Sequence, residues 1–317
     1  MRPSPRSISI VVPVYNEQDN VAVLYGRLLS VLENLADDVE IIFVDDGSKD
    51  DSLPLISSLA QADPRVRFIS FSRNFGHEAA STAGLRCASG EVTVLIDADL
   101  QDPPELIPEL LAQWRQGFDV VYAVRKHREN ESWVKRSTSL IFYRIINSLS
   151  NPRLPVDTGD FRLIDRKALD ALKQCREISR FVRGLSTWVG FRQVGVPYDR
   201  ESRHGGKTKY NYIKLTLLAM DAISSFSLAP LRLSLIVGML GFLVGAILSI
   251  PLLLRKLIWD VPIPGYTFQT LSILFFGSLN FVLLGIVAVY LGKVFVEVQG
   301  RPLYIIRDQS PSLNVDT

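Results

Sequence analysis

Val92-Thr93-Val94-Leu95-Ile96-Asp97-Ala98-Asp99-Leu100-Gln101-Asp102-Pro103-Pro104 runs from a β-branched apolar segment straight into an acidic turn. The apolar part has the length and composition of a buried strand. The turn places two carboxylates one residue apart. Such a pair can hold a hard divalent cation, because Mg²⁺ takes one or two carboxylates and completes its shell with phosphate and water oxygens. The same tripeptide alone reads more readily as a turn or a helix cap, so its neighbours decide the reading.

Working outward, similar runs recur at Ile8–Val14, Glu40–Asp45, Val66–Phe71 and Val120–Val124. Between them lie segments with helical spacing at Val21–Glu33, Ser52–Ala62, Glu78–Ala88 and Glu105–Gln116. This alternation predicts an α/β fold with a mainly parallel sheet. Open sheets of that kind bind ligands beyond the carboxyl ends of their strands. At those ends stand Pro13, Tyr15, Asn16 and Glu17, then Asp45, Asp46, Gly47 and Ser48, then Asp97, Asp99 and Gln101. No GxGxxG or Walker A pattern occurs, which argues against a dinucleotide fold or a P-loop.

The rest of the chain narrows the class. A net charge of +2 does not suit a nucleic-acid binder. Two cysteines, Cys87 and Cys175, exclude a disulfide framework and fit a reducing compartment. The apolar run Ile8–Tyr15 is too short for a secretory signal and contains Pro13, so it reads as a strand. Leu233–Leu254 is 22 residues without a charge. At about 1.5 Å per residue that length spans a hydrocarbon core, and a second span is expected at about 270–291. Lys207, Lys209, Lys214 and Arg232 precede the first span, and Lys293, Arg301 and Arg307 follow the second. That excess places both flanks in the cytosol, against the smaller pull of Arg255 and Lys256 in the connecting loop.

Tyr212, Leu215, Leu218, Ala219, Ala222, Ile223 and Phe226 form one apolar helical stripe. It reads either as an interfacial helix or as an ordinary core helix. Gly241 and Gly245 have GxxxG spacing, suited to close helix packing within one chain or between chains. The expected organisation is a catalytic domain at 1–210, an amphipathic helix at 211–229, two membrane helices within 230–295 (about 233–254 and 270–291), and a cytosolic tail at 296–317.

Val11-Val12-Pro13-Val14-Tyr15-Asn16-Glu17, Val44-Asp45-Asp46-Gly47-Ser48-Lys49-Asp50 and Asp97-Ala98-Asp99-Leu100-Gln101-Asp102-Pro103-Pro104 occur in that order. Together they resemble glycosyltransferase family 2, in its branch similar to dolichyl-phosphate-mannose synthases, over about Ile8–Tyr210. The resemblance implies a GT-A fold, Rossmann-like with a mainly parallel sheet, that binds a nucleotide-sugar and a divalent cation, Mg²⁺ or Mn²⁺. It implies that Pro13, Tyr15 and Glu17 line the nucleoside pocket, and that Asp46 contacts base or ribose, with a structural turn as the alternative. Asp97 would sit by the nucleotide, Asp99 would be the chief metal ligand beside Asp97, and Gln101 would lie close by.

Acceptor-side expectations follow from the same resemblance. Arg125 and Arg136, with Arg200, Arg203 and Lys207 in a Gly-rich basic loop, would bind an acceptor phosphate; a solvated loop near anionic headgroups is the other reading. In Asp157-Thr158-Gly159-Asp160-Phe161-Arg162-Leu163 the family places an acidic residue that serves as general base for hydroxyl acceptors. A phosphate monoester has a second pKa of about 6 and needs orientation more than deprotonation. Asp157 or Asp160, with Asp157 preferred, is therefore expected to orient an arginine, the metal or the sugar, and Arg162 to partner Asp160. His77 is expected to begin a helix.

The length and the two spans resemble bactoprenol glucosyltransferases. They imply inverting transfer of one sugar, glucose from UDP-glucose first, to undecaprenyl phosphate. Mannose, an amino sugar or a modified arabinose are the alternatives. The setting implied is the bacterial inner membrane, multi-pass, with catalytic domain and termini cytosolic, no nucleic-acid partner, and a homo-oligomer, a tetramer among its sizes. A processive polysaccharide synthase would carry a QxxRW motif, absent here, and a non-enzymatic scaffold has no need of the Asp97/Asp99 pair.

Overall fold

The structure, a computed structural model, describes residues 2–33, 35–126, 158–178, 180–199, 229–259, 265–311 and 313. Arg136, Asp157, Arg200, Arg203 and Lys207, and all but the last residue of the predicted 211–229 helix, lie outside the described residues. The chain divides into two compact units, 1–209 with 301–317, and 210–300.

The first unit is built on an eight-stranded sheet among the described residues. The strands are β1 (Ser7–Val14), β2 (Asp38–Asp45), β3 (Val66–Phe71), β4 (Val92–Leu95), β5 (Val120–Arg125), β6 (Thr158–Asp165), β7 (Gln193–Tyr198) and β8 (Ile306–Gln309). Their order is β7-β5-β6-β4-β1-β2-β3-β8. β1 pairs parallel with β2 and β4, β2 with β3, and β5 with β7. β6 runs antiparallel between β4 and β5, and β8 antiparallel along β3. The predicted α/β sheet, mostly parallel, is therefore present.

Strand alternation sends side chains to two cores. Ile8, Ile10, Val12 and Val14 of β1 join the core under α1 (Gln18–Leu32), α2 (Ser52–Ala62) and α4 (Ile107–Arg115). Val11, between them, joins the core under α3 (His77–Cys87), α5 (Arg166–Gln174) and α6 (Val182–Trp188). α1 buries Val21, Leu24, Leu28 and Leu32, an amphipathic stripe of helical period. α3 buries only small residues and one leucine, from Ala79 to Leu85. That thin face lets it lie close on β1 and β2: a Cβ added at Gly84 would stand 2.2 Å from Val11 Cγ1 and 3.1 Å from Val44 Cγ2.

The stretch expected as a C-terminal tail is not one as far as the structure describes it. Residues 301–317 belong to the first unit, and within them β8 pairs with the edge of β3. Tyr304 stacks on Phe71 with centroids 4.8 Å apart and planes 10° apart. The edge strand covers backbone groups of β3 that would otherwise be unpaired.

The second unit contains two long helices, α7 (Ala229–Trp259) and α8 (Tyr266–Gln299). Among the described residues one segment, Phe275–Gln299, is long and apolar enough to cross a membrane. α8 contains the expected 270–291 segment. α7 contains the expected 233–254 segment and carries Pro251 inside.

Gly84→Ala should destabilise the protein although alanine is the better helix former by about 1 kcal/mol. The new methyl meets Val11, a stiff side chain with no exposed surface, and overpacking of this kind costs about 1–3 kcal/mol. Thermal melting of the full-length protein checks this through a lowered Tm.

Candidate active site

Strand direction brings the polar groups to one edge. β1, β2 and β4 end there, and antiparallel β6 begins there. Leu95 pairs with Arg162 in antiparallel register, so two residues on from Leu95 and two back from Arg162, Asp97 and Asp160 face each other. α3 starts beside them with His77. This convergence was not predicted, because His77 and Asp160 are separated by 83 positions.

Asp160 is buried and fully engaged. Arg183 grips it as a fork, Nε donating to Oδ1 at 2.8 Å and Nη2 to Oδ2 at 3.0 Å. His77 Nε2 lies 3.2 Å from Oδ2. Burial alone would raise its pKa, but the bonds from His77 and Arg183 win and hold the carboxyl well below the usual carboxylate range. A carboxylate so held is a poor proton acceptor, which fits the expected orienting role better than that of a base. Arg183 also donates from Nη1 to Thr158 O at 2.8 Å. Arg162 is the expected partner of Asp160: Nε donates to Asp160 O at 3.1 Å and Nη2 stands 4.0 Å from Oδ1, while Nη2 donates to Gly159 O at 3.0 Å and Nη1 to Ser186 Oγ. Burial lowers its pKa to about 10.

Asp97 is the opposite case. Its Oδ1 is buried and has no hydrogen-bond partner. His77 Nε2 is 3.6 Å away, beyond hydrogen-bond reach. Burial, with repulsion from Asp160, Asp102 and Asp99 against the pull of His77, raises Asp97 to about 7. His77 is lowered by burial, yet its bond to Asp160 and the charges of Asp97 and Asp160 prevail and raise it to about 9. One ligand atom from each of His77, Asp97 and Asp160 lies within 4.8 Å of the others, a group that could hold a metal ion. Of the three, Asp97 fits best, since an orphaned carboxylate oxygen is what a hard cation satisfies. Asp99, expected as chief ligand, is partly exposed beside it; its Oδ1 accepts from Gln101 N at 3.1 Å. Leu100 between them has φ +59°, a strained conformation for a leucine, and such strain clusters at functional sites.

The other strand ends interlock. Asp45 is a turn residue, accepting from Ser48 N at 3.0 Å and from Ser70 Oγ at 2.8 Å. Asp46 accepts from Phe75 N at 2.6 Å, Gly76 N at 3.0 Å and Asn74 Nδ2 at 2.8 Å, so its carboxylate braces the 74–76 turn. Burial raises its pKa despite those bonds. Gly47 between these turns has φ +69°, and a Cβ there would stand 2.5 Å from Arg73 C, so only glycine fits. Pro13 is buried within β1, Tyr15 is 42% exposed at its end, and Glu17 accepts from Asn20 Nδ2 at 2.5 Å.

Arg125 ends β5. A Cβ at Gly159 would stand 3.2 Å from Arg125 Nη2 and 3.7 Å from Asp102 Oδ2, which locates Arg125 beside fully buried Asp102. Tyr198 donates its hydroxyl to Asp102 Oδ1. Arg183, Tyr198 and Glu78 carry no local sequence signal, since each acts through a partner distant in the chain; Asp102 lies in the quoted acidic motif, but its partner Tyr198 is 96 positions away.

Sheet order and acidic edge together define a GT-A type α/β enzyme. The family model for glycosyl transferase family 2 matches residues 9–173. An uncharacterized glycosyltransferase from Synechocystis is 46% identical over 301 residues, 95% of each chain. The SfII prophage-derived bactoprenol glucosyl transferase of Shigella flexneri is 40% identical over 304 residues, covering 95% of this chain and 97% of its own. A mycobacterial protein of known crystal structure shares the fold at TM-score 0.50 and 22% identity, over 69% of this chain and 73% of its own. The chain belongs to glycosyl transferase family 2 and is a glycosyltransferase.

Asp97 yields a pH test. Its folded pKa of about 7 lies above the ordinary carboxyl value, so its contribution to stability is fully present below pH ~4 and is lost as pH rises through about 7. Asp97→Asn should therefore melt higher than wild type at pH 8 in EDTA, with the difference gone near pH 4. A variant that melts lower at pH 8 contradicts this.

Proposed function

We propose that the enzyme transfers a single sugar, glucose, from a UDP-sugar to a polyisoprenyl phosphate, with inversion, at the cytosolic face of a bacterial inner membrane. The observation that carries this reading is end-to-end similarity to bactoprenol glucosyl transferases, 40% identical over 304 residues. The acceptor phosphate oxygen forms the new bond to the anomeric carbon as the bond to the UDP oxygen breaks. At neutral pH the acceptor is already mostly dianionic, so no protein base is required. The tied-back state of Asp160 supports that.

A divalent cation, Mg²⁺ or Mn²⁺, would be held by Asp97 and Asp99 and would stabilise charge on the departing diphosphate. Pro13, Tyr15, Glu17, Asp46 and Gln101 would border the nucleotide-sugar. Arg125, Arg136, Arg200, Arg203 and Lys207 would take the acceptor phosphate, and Asp157 or Asp160 would orient the reacting groups. Chain connectivity supports an even number of membrane crossings. The 210–300 unit is flanked in sequence on both sides by segments of the catalytic unit, 1–209 and 301–317, as a membrane hairpin would be. If Phe275–Gln299 crosses once, α7 is the segment available to cross back. The membrane hairpin, the amphipathic helix at 211–229 and a homo-oligomer would hold the site at the depth of a lipid phosphate.

Purified protein with Mg²⁺, labelled UDP-glucose and undecaprenyl phosphate should yield a lipid-extractable monosaccharide product, and EDTA should abolish it. A polymeric product, or no lipid product with any UDP- or GDP-sugar, contradicts the proposal.

A further inference from the structure

Arg183 is the second residue of α6, a helix of seven residues. A helix so short does not sustain itself in water, so tertiary contacts must set its position. One contact lies at its first turn, where Glu78 Oε2 accepts the Val182 N–H at 2.9 Å. With the helix start pinned there, the next residue delivers its guanidinium to Asp160 and to Thr158 O. From the other side, His77 reaches the same carboxylate at 3.2 Å. Two adjacent residues opening α3, His77 and Glu78, and two opening α6, Val182 and Arg183, thus close a ring through Asp160.

We infer that Arg183 is a positioning residue for sugar transfer, set by the Glu78 cap on α6 and acting through Asp160. The inference rests on the transferase reading of this edge. A planar guanidinium bonded to both oxygens fixes the position and the plane of a carboxylate, whereas an ammonium fixes one oxygen and leaves the other to swing. Asp160 faces Asp97, whose Oδ1 has no hydrogen bond to hold it. The fork therefore sets the separation of the two carboxylates between which the charged part of the donor must settle. Displacing reacting groups by about 1 Å costs rate by roughly 100-fold, so a slack Asp160 lowers turnover more than binding.

The test uses the full-length enzyme in detergent, with kcat and donor KM, Tm, and the ring signal of His77 in ¹⁵N-histidine-labelled protein. Arg183→Lys keeps the charge and removes the fork. It should lower kcat roughly 10- to 100-fold, leave donor KM within about threefold, leave Tm nearly unchanged and shift the His77 signal. Glu78→Ala should lower kcat in the same direction, and adding it to Arg183→Ala should cost less than about threefold more, because both act through one element. Wild-type turnover in Arg183→Lys, a loss confined to KM, or fully multiplicative effects of Glu78→Ala and Arg183→Ala would overturn the inference. If the wild-type enzyme turns over none of the proposed substrates, that failure counts against the substrates alone. The His77 signal then decides: a shift in Arg183→Lys upholds the ring, and an unmoved signal overturns it.

Discussion

A carboxylate buried in the middle of a sheet is tolerable only when its charge is matched and its oxygens are bonded. Asp160 meets that condition through the Arg183 fork and His77, and the geometry of the catalytic edge follows from it. The fork ties α6 to β6, the histidine ties α3 to β6, and the Glu78 cap ties α3 to α6. Removing one member leaves an uncompensated charge among the others, so the group has to be present as a whole. Its consequence is an asymmetry: of two facing aspartates, one has its bonding capacity filled and the other has an oxygen with none.

That asymmetry separates the roles of two aspartates, Asp97 and Asp160, that the sequence motifs leave alike. Asp97, raised by burial and by its acidic neighbours, is the carboxylate with a buried oxygen that no hydrogen bond satisfies. Asp160, held ionised and bonded, is an element of the frame. Asp46 is likewise committed, to the 74–76 turn, although its place at the end of β2 suggests a ligand contact. The edge is thus braced from within by three of the carboxylates that a sequence reading offers to ligands: Asp45, Asp46 and Asp160.

What was legible in the sequence follows from where charges sit. β1 to β5 and α1 to α4 announce themselves because their buried faces are apolar and their periods clean. β6 does not, since Thr158–Asp165 contains Asp160, Arg162 and Asp165, all buried and satisfied by specific partners: Arg183, the strand's own carbonyls with Ser186, and Trp114 with Arg2. β8 reads as tail because a four-residue edge strand with Arg307 and Asp308 has no apolar period. The acidic strand ends were readable as a site because parallel topology forces them together. Arg183 was not, for it becomes functional only when a turn of helix, fixed by Glu78, aims it at a carboxylate 23 positions earlier.

The most direct measurement is the location of Mn²⁺ by anomalous diffraction in crystals of the full-length enzyme with UDP. Manganese is expected on Asp97, with Asp160 still forked to Arg183 and no manganese–Asp160 bond. Manganese coordinated by Asp160, with Arg183 displaced from it, would contradict the division of labour between the two aspartates.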